Sequence, residues 1–265
     1  MKLTLGATTR PWATWTFEEA CRGIAAAGYT DVAIFGNAGA VSLASSSTPD
    51  DIAAVRKTVA AAKLTPSMVI TGMKLDLPID DAAADYRKVI DVSAAAGVTW
   101  VMNCGCAKPE LYEKYNELFR RCAPYAQEKG VKLTMKPHGG NGLTGKDMRR
   151  VVEAVDHPAF SICYDLGNII YYTKGAARPE PDVHDIKEHV GICIIKDCVV
   201  TDGKPDVNIL PGTGLVDFRS VLGSLTGAGF RGPLYVECLG GSEWNDIQDR
   251  ARRTHAFISD IVAAL

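Results

Sequence analysis

The sequence has no long hydrophobic run and no excess of charge of either sign. No apolar stretch approaches the roughly 20 residues that a membrane-spanning helix needs. The 29 Lys and Arg residues nearly balance the 31 Asp and Glu residues. No segment is polybasic in the manner of proteins that bind nucleic acid or an anionic membrane surface. We therefore expect neither nucleic acid nor a membrane among the partners of this chain.

Targeting and nucleotide-binding signatures are also missing. The N-terminal residues 1–7 lack the apolar core and cleavage site of a signal peptide and are typical of a first strand. No Gly-x-Gly-x-x-Gly sequence follows a predicted strand, so no nucleotide cofactor is expected. The eight cysteines lie mostly in apolar runs and form no Cys-x-x-Cys pair. This pattern favours reduced core residues of a cytoplasmic protein.

What the sequence does contain is a regular alternation of short apolar runs and longer segments with helical periodicity. The predicted strands are 3–6, 31–35, 65–71, 99–103, 131–136, 160–164, 190–196 and 233–237. The helices between them begin at recognisable caps, such as Thr16-Phe-Glu-Glu19, and a short helix is expected at 182–188. Eight strand–helix units without a composition break predict an α/β fold, a (β/α)8 TIM barrel that forms a single domain over residues 1–265. A doubly wound sheet is the second choice.

Charged side chains stand where the later strands end. Lys136 ends the fifth strand, and His138 follows it in a glycine-rich loop. Asp165, Lys196 and Glu237 end the sixth, seventh and eighth strands. Catalytic groups of such barrels come from the carboxyl ends of the strands, and alternate side chains point to the same face. These groups are therefore expected to converge in one site.

Each of these groups also has a structural alternative. Asp165 could cap the following loop, although Gly167-Asn168 after it favours close approach of the backbone to a ligand. Lys136 and Lys196 could serve only as ion-pair partners of neighbouring acids, and His138 could be a structural histidine whose hydrogen bonds are satisfied. A carboxylate such as Glu237, which follows four apolar or aromatic residues, is rarely buried without a partner. The other histidines lie in segments typical of loops or solvated helix faces.

Several short motifs in the last two thirds of the chain point to one family. They are the His138-Gly-Gly turn, Tyr164-Asp165-x-Gly-Asn168, the Lys196-Asp197 pair, Pro211-Gly-x-Gly-x-x-Asp217 and the final strand ending in Glu237. With them the chain resembles the xylose-isomerase-like barrels, a group of sugar phosphate isomerases and epimerases that is also similar in fold to endonuclease IV. The resemblance spans nearly the whole chain and implies a (β/α)8 barrel with a small-molecule carbohydrate substrate.

The resemblance implies a divalent metal ion, Mn²⁺, Mg²⁺ or Co²⁺, held by Glu, Asp, His and Glu from strands five to eight. Asp165 and Glu237 match two of these ligands, but Lys136 and Ile194 stand at the places of the other two. A protonated lysine has no lone pair to offer a metal. Two alternatives stay open. Either Lys136 supplies the positive charge itself, or His138 turns inward and completes a metal site with the two carboxylates.

The implied activity is that of an enzyme acting on a sugar, keto-sugar or polyol derivative by proton abstraction next to a carbonyl. Isomerisation, epimerisation and β-elimination share this step. Glu237 is the expected base, His138 a second acid or base, and Lys136 the group that stabilises the oxyanion. Asn168 and Lys196 are expected to bind the substrate.

Other functions remain open because two of the family's ligands are missing. One is a keto-glycoside lyase, or a subunit of one, since some relatives cleave 3-keto-glycosides. Another is a non-catalytic sugar-binding barrel. The glycine turns Gly139-Gly140 and Gly212-x-Gly214 could bind a phosphate through backbone N–H groups, although such turns are common without that role. Barrels of this family often associate, so a homo-oligomer is a further expectation.

Overall fold

Eight parallel strands close into a barrel. The computed structural model describes residues 3–36 and 43–265. In these residues there are ten strands, eight of which form the barrel: β1 (Leu5–Thr8), β2 (Asp31–Ile34), β3 (Thr65–Ile70), β4 (Trp100–Cys104), β5 (Lys132–Lys136), β6 (Phe160–Asp165), β7 (Val190–Ile195), β8 (Val199–Thr201), β9 (Lys204–Asp206) and β10 (Leu234–Val236). β1 pairs with both β2 and β10, which closes the sheet, while β8 and β9 form a separate antiparallel hairpin. The predicted (β/α)8 barrel is confirmed.

Helices connect the barrel strands and cover the outside of the sheet. They are α1 (Phe17–Ala26), α2 (Pro49–Ala61), α3 (Ile79–Ala96), α4 (Tyr112–Glu128), α5 (Gly145–Val155), α6 (Leu166–Tyr172), α7 (Pro179–Asp182), α8 (Phe218–Gly227) and α9 (Trp244–Ala263). α1, α2 and α5 each begin at a threonine that exchanges hydrogen bonds with an acidic residue three positions later. Such capping boxes satisfy two of the unpaired N–H groups at a helix start, so the sequence fixes these helix boundaries locally.

The first strand lies two residues later than the predicted segment 3–6. A Cβ atom at Gly6 would lie 2.8 Å from the backbone oxygen of Asp31 and from ring carbons of Tyr235. Gly6 therefore makes room for the Tyr235 ring in mid-strand and does not end the strand. The strand continues to Thr8, which brings Arg10 to the carboxyl end of the barrel.

The segment between β6 and α8 also differs from the predicted pattern. α6 follows Asp165 directly and was not expected, and the helix predicted at 182–188 is instead α7 followed by two 3₁₀ turns. Pro179 starts α7 earlier because proline suits the first turn of a helix. Asp202-Gly203, both with positive φ, form the tight turn of the β8–β9 hairpin.

The interior of the barrel is filled by an apolar layer. The Tyr235 hydroxyl on β10 reaches across to Ser67 on β3, with 2.6 Å between the two oxygens. The other side chains of this layer are Ala33, Phe35, Met68, Met102, Cys163, Ile192 and Ile194. Because side chains alternate along a strand, Asp165 and Glu237 continue the inward face two positions beyond Cys163 and Tyr235. The apolar layer thus forms the floor beneath the strand ends.

Two further sequence features can be placed in the fold. Over residues 3–36 and 43–265, no helix is long and apolar enough to cross a membrane. Seven of the eight cysteine side chains are buried and Cys104 is half-buried, as expected of core residues.

Candidate functional site

Four charged side chains meet at the carboxyl end of the barrel. They come from four strands that are neighbours in the sheet, in the order β5, β6, β7 and β10. These residues, which we call the ion cluster, are Lys136, Asp165, Lys196 and Glu237. Each is at most 3% exposed. The strand ends therefore bring together four of the five groups that stood out in the sequence.

Each carboxylate of the ion cluster is shared between both lysines. The Nζ atoms of Lys136 and Lys196 lie 2.9 and 2.8 Å from Oδ2 of Asp165. Lys136 donates to Oε2 of Glu237, and Nζ of Lys196 lies 2.5 Å from Oε1 of the same carboxylate. Positive and negative charges alternate around a closed ring. This arrangement offsets the cost of removing each charge from water, a cost that reaches several kcal/mol for an isolated ion.

Asn168 connects the ion cluster to the loop after β5. Its side-chain oxygen accepts from Nζ of Lys196 at 3.2 Å, and its Nδ2 donates to the Pro137 carbonyl at 2.8 Å. The Asn168 backbone N–H donates to Oδ1 of Asp165 at 3.1 Å, which makes Asp165 the N-cap of α6. Asp165 thus caps α6 and is also a member of the ion cluster. The expected substrate-binding groups, Asn168 and Lys196, both bond to other protein groups here.

The two lysines differ in how many of their N–H donors are used. An ammonium group has three donors. Lys196 uses all three, on the two cluster carboxylates and Asn168. Lys136 meets two acceptors, Asp165 and Glu237, and within the described part of the chain at least one of its N–H donors has no protein acceptor. Lys136 also lies 5.8 Å from the centre of the Phe35 ring, a weak cation–π contact.

The ion cluster shifts the pKa values of its members in opposite directions. Burial by itself lowers the pKa of Lys136, but the charges of Glu237 and Asp165 outweigh it and hold that pKa well above the usual value. Burial by itself raises the pKa of Glu237, but Lys136 and Lys196 outweigh it and hold the pKa of this carboxyl far below its usual range. Lys136 is therefore a permanent cation, and Glu237 is a carboxylate with little tendency to accept a proton.

His138 lies at the rim, outside the ion cluster. Its side chain is exposed, and its ring centre lies 4.7 Å from that of Tyr172, the last residue of α6. Partial desolvation, followed by the charges of Lys136 and Lys196, lowers the pKa of His138 below its usual value. At neutral pH its ring is therefore mainly uncharged and can accept a proton. Over the described residues the imidazole forms no hydrogen bond with either cluster carboxylate.

Two residues that contact the candidate site were not predicted from the sequence. Nη1 of Arg10 lies 3.8 Å from Oε1 of Glu237, with about half of the arginine side chain exposed. The sequence prediction ended the first strand at Gly6 and therefore did not place Arg10 near the carboxyl end of the barrel. A cation shortly after a predicted strand was nevertheless a usable signal. Tyr172 was also missed, and its signal was the aromatic pair Tyr171-Tyr172 shortly after Asn168.

Asp197, directly after Lys196, has a structural role. Its carboxylate accepts hydrogen bonds of 2.7 to 3.0 Å from the backbone N–H groups of Cys198, Gly212, Gly214 and Val216. It therefore anchors the loop before α8. The amides of the Gly212-x-Gly214 turn are used by this carboxylate, so that turn does not offer them to a phosphate.

The ion cluster does not fit a divalent metal ion. All four carboxylate oxygens of Asp165 and Glu237 already accept from an ammonium group or from the Asn168 amide. Ile194, at the place of a histidine ligand, belongs to the apolar floor. A divalent ion beside two buried ammonium groups would be strongly repelled. Across residues 3–36 and 43–265, no group of three or more His, Cys, Asp or Glu side chains is arranged to hold a metal.

A cleft opens at the same end of the barrel, beside β2 and β3. Residues that line it include Gly36, Thr71, Lys74 and Asp85. Nζ of Lys74 lies 2.6 Å from Oδ1 of Asp85, so both signs of charge are present on its wall. Gly36 follows Phe35, which contacts Lys136, and this places the cleft next to the ion cluster.

Comparisons with known proteins agree with this fold. An inosose dehydratase from Glaesserella parasuis serovar 5 is 30% identical over 144 residues, which cover 48% of this chain and 46% of that protein. The chain thus spans about half the length of the curated relatives it matches. Two solved structures are similar in fold. A D-allulose 3-epimerase from Methylomonas sp. in complex with D-allulose has a TM-score of 0.77 and 20% identity, covering 98% of this chain and 97% of that one.

The second solved structure with a similar fold is a xylose isomerase-like TIM barrel protein from Mycobacterium smegmatis in complex with magnesium. It has a TM-score of 0.75 and 16% identity, covering 98% of both chains. At these identities the two structures establish the fold. The family model described as xylose isomerase-like TIM barrel matches residues 21–260. Because this match covers most of the sequence, the chain belongs to the xylose isomerase-like TIM barrel family.

Proposed function

We propose that the chain is an enzyme that abstracts a proton next to the carbonyl group of a sugar, keto-sugar or polyol derivative. The observation that carries this proposal is the pairing of a permanently cationic donor with a neutral imidazole at one barrel mouth. Lys136 has an N–H donor to spare, and His138, two residues further along the chain, is exposed at the rim within reach of the Lys136 charge. The sugar epimerases and inosose dehydratases among the similar proteins support a carbohydrate substrate.

In this proposal Lys136 binds the carbonyl oxygen of the substrate. When the neighbouring C–H bond is broken, its electron pair moves towards the carbonyl and the oxygen becomes an enolate. A fixed positive charge aimed at that oxygen stabilises the enolate more than the neutral carbonyl, which lowers the barrier. The two carboxylates hold the ammonium group in place and leave its third N–H donor available to the substrate.

The base in this proposal is His138, whereas the sequence favours Glu237. Both oxygens of Glu237 accept from ammonium groups, and its pKa lies far below the usual range, so it is a weak base. The imidazole of His138 is exposed, and its pKa below the usual value keeps it neutral at pH 7. An effective base needs to be unprotonated yet near its pKa at the working pH, and His138 meets that condition better.

The dehydratase names favour β-elimination as the reaction. His138 takes the proton next to the carbonyl, and the resulting enolate is held by Lys136. Collapse of the enolate breaks the C–O bond to the β-hydroxyl, which takes the proton from the imidazolium and leaves as water. The step is balanced, since one water molecule is lost and His138 returns to its neutral form. Epimerisation would instead return a proton to the opposite face of the same carbon, and isomerisation would return it to the former carbonyl carbon while a proton moves between the two oxygens.

A second function is favoured by one specific observation. In the ion cluster every carboxylate oxygen is already hydrogen-bonded, as in a purely structural ion network. This supports a sugar-binding barrel without catalytic activity. The two functions differ in whether the protein exchanges substrate protons with solvent.

The deciding experiment measures deuterium incorporation from D₂O by NMR. The candidate substrates are inososes, D-allulose and other ketohexoses, and 3-keto-glycosides. We expect exchange at the carbon next to the carbonyl in at least one of them. The rate should fall strongly in His138→Asn and not in His157→Asn, a matched control in the loop after α5. Binding without exchange, seen as a rise in melting temperature only, would establish the sugar-binding function instead.

A further inference from the structure

We propose that the two lysines of the ion cluster permanently replace a divalent cation, so that this barrel works without a metal, with Lys136 as the group that touches the substrate. The catalytic part of this inference rests on the proposed function. The part that concerns metal binding stands on the ion cluster alone and can be tested without a substrate.

The first argument is charge. Two ammonium groups carry the same formal charge as one divalent ion, and they face two carboxylates. The ion cluster is thus balanced in its buried position, with side chains at most 4% exposed. A bound divalent ion would leave the site with two uncompensated positive charges in a poorly solvated environment. Such a charge is expensive to bury, so the two lysines together oppose binding of a divalent ion in the native chain.

The second argument is the use of donor atoms. A metal ligand needs an oxygen or nitrogen lone pair directed at the metal. The carboxylate oxygens of Asp165 and Glu237 direct theirs to Lys136, Lys196 and the Asn168 amide. The apolar floor carries Ile194 where a further ligand would be needed. The chain therefore offers neither the number nor the kind of ligands that a divalent ion requires.

The third argument separates the roles of the two lysines. All three donors of Lys196 are committed, two of them to the cluster carboxylates, so this residue holds the carboxylates in position. Lys136 keeps a donor for an external oxygen. Lys136 is therefore assigned as the catalytic cation and Lys196 as a positioning residue. This division is a property of the contacts and is not visible in the sequence, where both lysines end a strand in the same way.

Metal binding is tested by titrating the purified native protein with Mn²⁺ and following free Mn²⁺ by electron paramagnetic resonance. We expect no specific site that binds Mn²⁺ with a Kd below about 1 mM. Elemental analysis of protein purified without chelator should give well under one metal per chain. One tightly bound metal in the native protein would overturn the proposal.

A variant with a rebuilt ligand set provides the positive control. Lys136→Glu combined with Ile194→His supplies the carboxylate and imidazole that the resemblance to metal-dependent barrels requires. We expect this double variant to bind Mn²⁺ at least about tenfold more tightly than the native chain, a difference of about 1.4 kcal/mol. Circular dichroism checks that it is folded. If it does not fold, the native titration and elemental analysis still decide the question.

Catalysis is tested on any substrate found by deuterium exchange. Chelator should leave the rate unchanged, whereas Lys136→Met should lower kcat by about 10²- to 10³-fold, as expected for loss of an oxyanion-stabilising donor. Lys196→Arg, which keeps a cation beside both carboxylates, should recover more activity than Lys196→Met. Inactivation by chelator and recovery with added metal would refute the proposal. If no substrate is turned over, the proposed function fails while the metal titration still stands.

Discussion

Nζ of Lys196 and Oε1 of Glu237 meet at 2.5 Å in the interior of the barrel, although 41 residues separate them in the chain. The two residues directly follow β7 and β10, which are neighbours in the sheet. Bulk water cannot solvate either charge, because both side chains are almost completely buried. The stability of the fold and the chemistry of the site therefore depend on the same contacts.

Loss of the Glu237 charge should destabilise the protein strongly. Glu237→Gln leaves two ammonium groups with one carboxylate, and an uncompensated buried charge costs about 3–5 kcal/mol. Urea denaturation at pH 7 measures the loss in unfolding free energy. Glu243→Gln, an exposed residue just before α9, is the matched control and should stay within about 0.5 kcal/mol of the native protein.

The same carboxylate predicts a loss of stability in acid. The pKa of folded Glu237 is depressed, so its contribution is present above the ordinary glutamate pKa of about 4.3 and is lost progressively as the pH falls below that value. Urea midpoints between pH 3 and pH 7 should therefore fall less steeply in Glu237→Gln than in the native protein. Equal slopes would contradict this account of the ion cluster.

The barrel was predictable from the sequence because its signals are local. Apolar runs and helix caps appear in order along the chain, and the charge at the end of each late strand marks the carboxyl face. The boundary of β1 was not predictable, since a glycine such as Gly6 is typical of a strand end. Its place within the strand depends on the ring of Tyr235, which lies on β10 and leaves no room for a side chain at Gly6. The turn Asp202-Gly203 was a readable hairpin signal that the prediction missed.

The convergence of the charged residues at one end of the barrel was predictable from the sequence, but the contacts that each of them makes were not. Strand parity brings Lys136, Lys196 and Glu237 to one mouth, yet it gives no distances between atoms. The number of free donors on each lysine and the low basicity of Glu237 depend on contacts between residues far apart in the chain. The same holds for the ring contact between His138 and Tyr172.

Asp197 should contribute more to stability than an ordinary helix cap. Its carboxylate accepts four backbone hydrogen bonds, and a hydrogen bond to a charged group makes a net contribution of about 1.5–3 kcal/mol. Asp197→Ala should therefore cost at least about 3 kcal/mol in urea denaturation. Asp217→Ala, which removes the single N-cap bond of α8, should cost about 1 kcal/mol. Similar costs for the two variants would show that the loop does not depend on Asp197.

The glycine turn that carries His138 should not tolerate a side chain. A Cβ atom at Gly140 would lie 1.9 Å from the Cys106 carbonyl oxygen, and its φ of +56° is already unfavourable for other residues. Gly130 has a comparable φ of +71°, but a Cβ atom there would meet no other atom within 4 Å. Gly130→Ala therefore measures the cost of the backbone conformation alone, about 1–2 kcal/mol. Gly140→Ala should lose clearly more unfolding free energy than Gly130→Ala. Equal losses would mean that the turn can move away from Cys106.

The pKa of His138 should respond to the ring of Tyr172. Tyr172→Leu removes part of the partial burial that lowers this pKa, so the value should rise towards the ordinary 6.5, while the charges of Lys136 and Lys196 still oppose protonation. NMR titration of the imidazole signal, assigned with His138→Asn, measures the shift without a substrate. Tyr171→Leu is the control, because the Tyr171 ring contacts Tyr172 and, among the described residues, has no ring contact with His138. Since the neutral imidazole is the proposed base, the acid limb of activity should move to higher pH in Tyr172→Leu. An unchanged His138 pKa would assign the depression to the lysines alone.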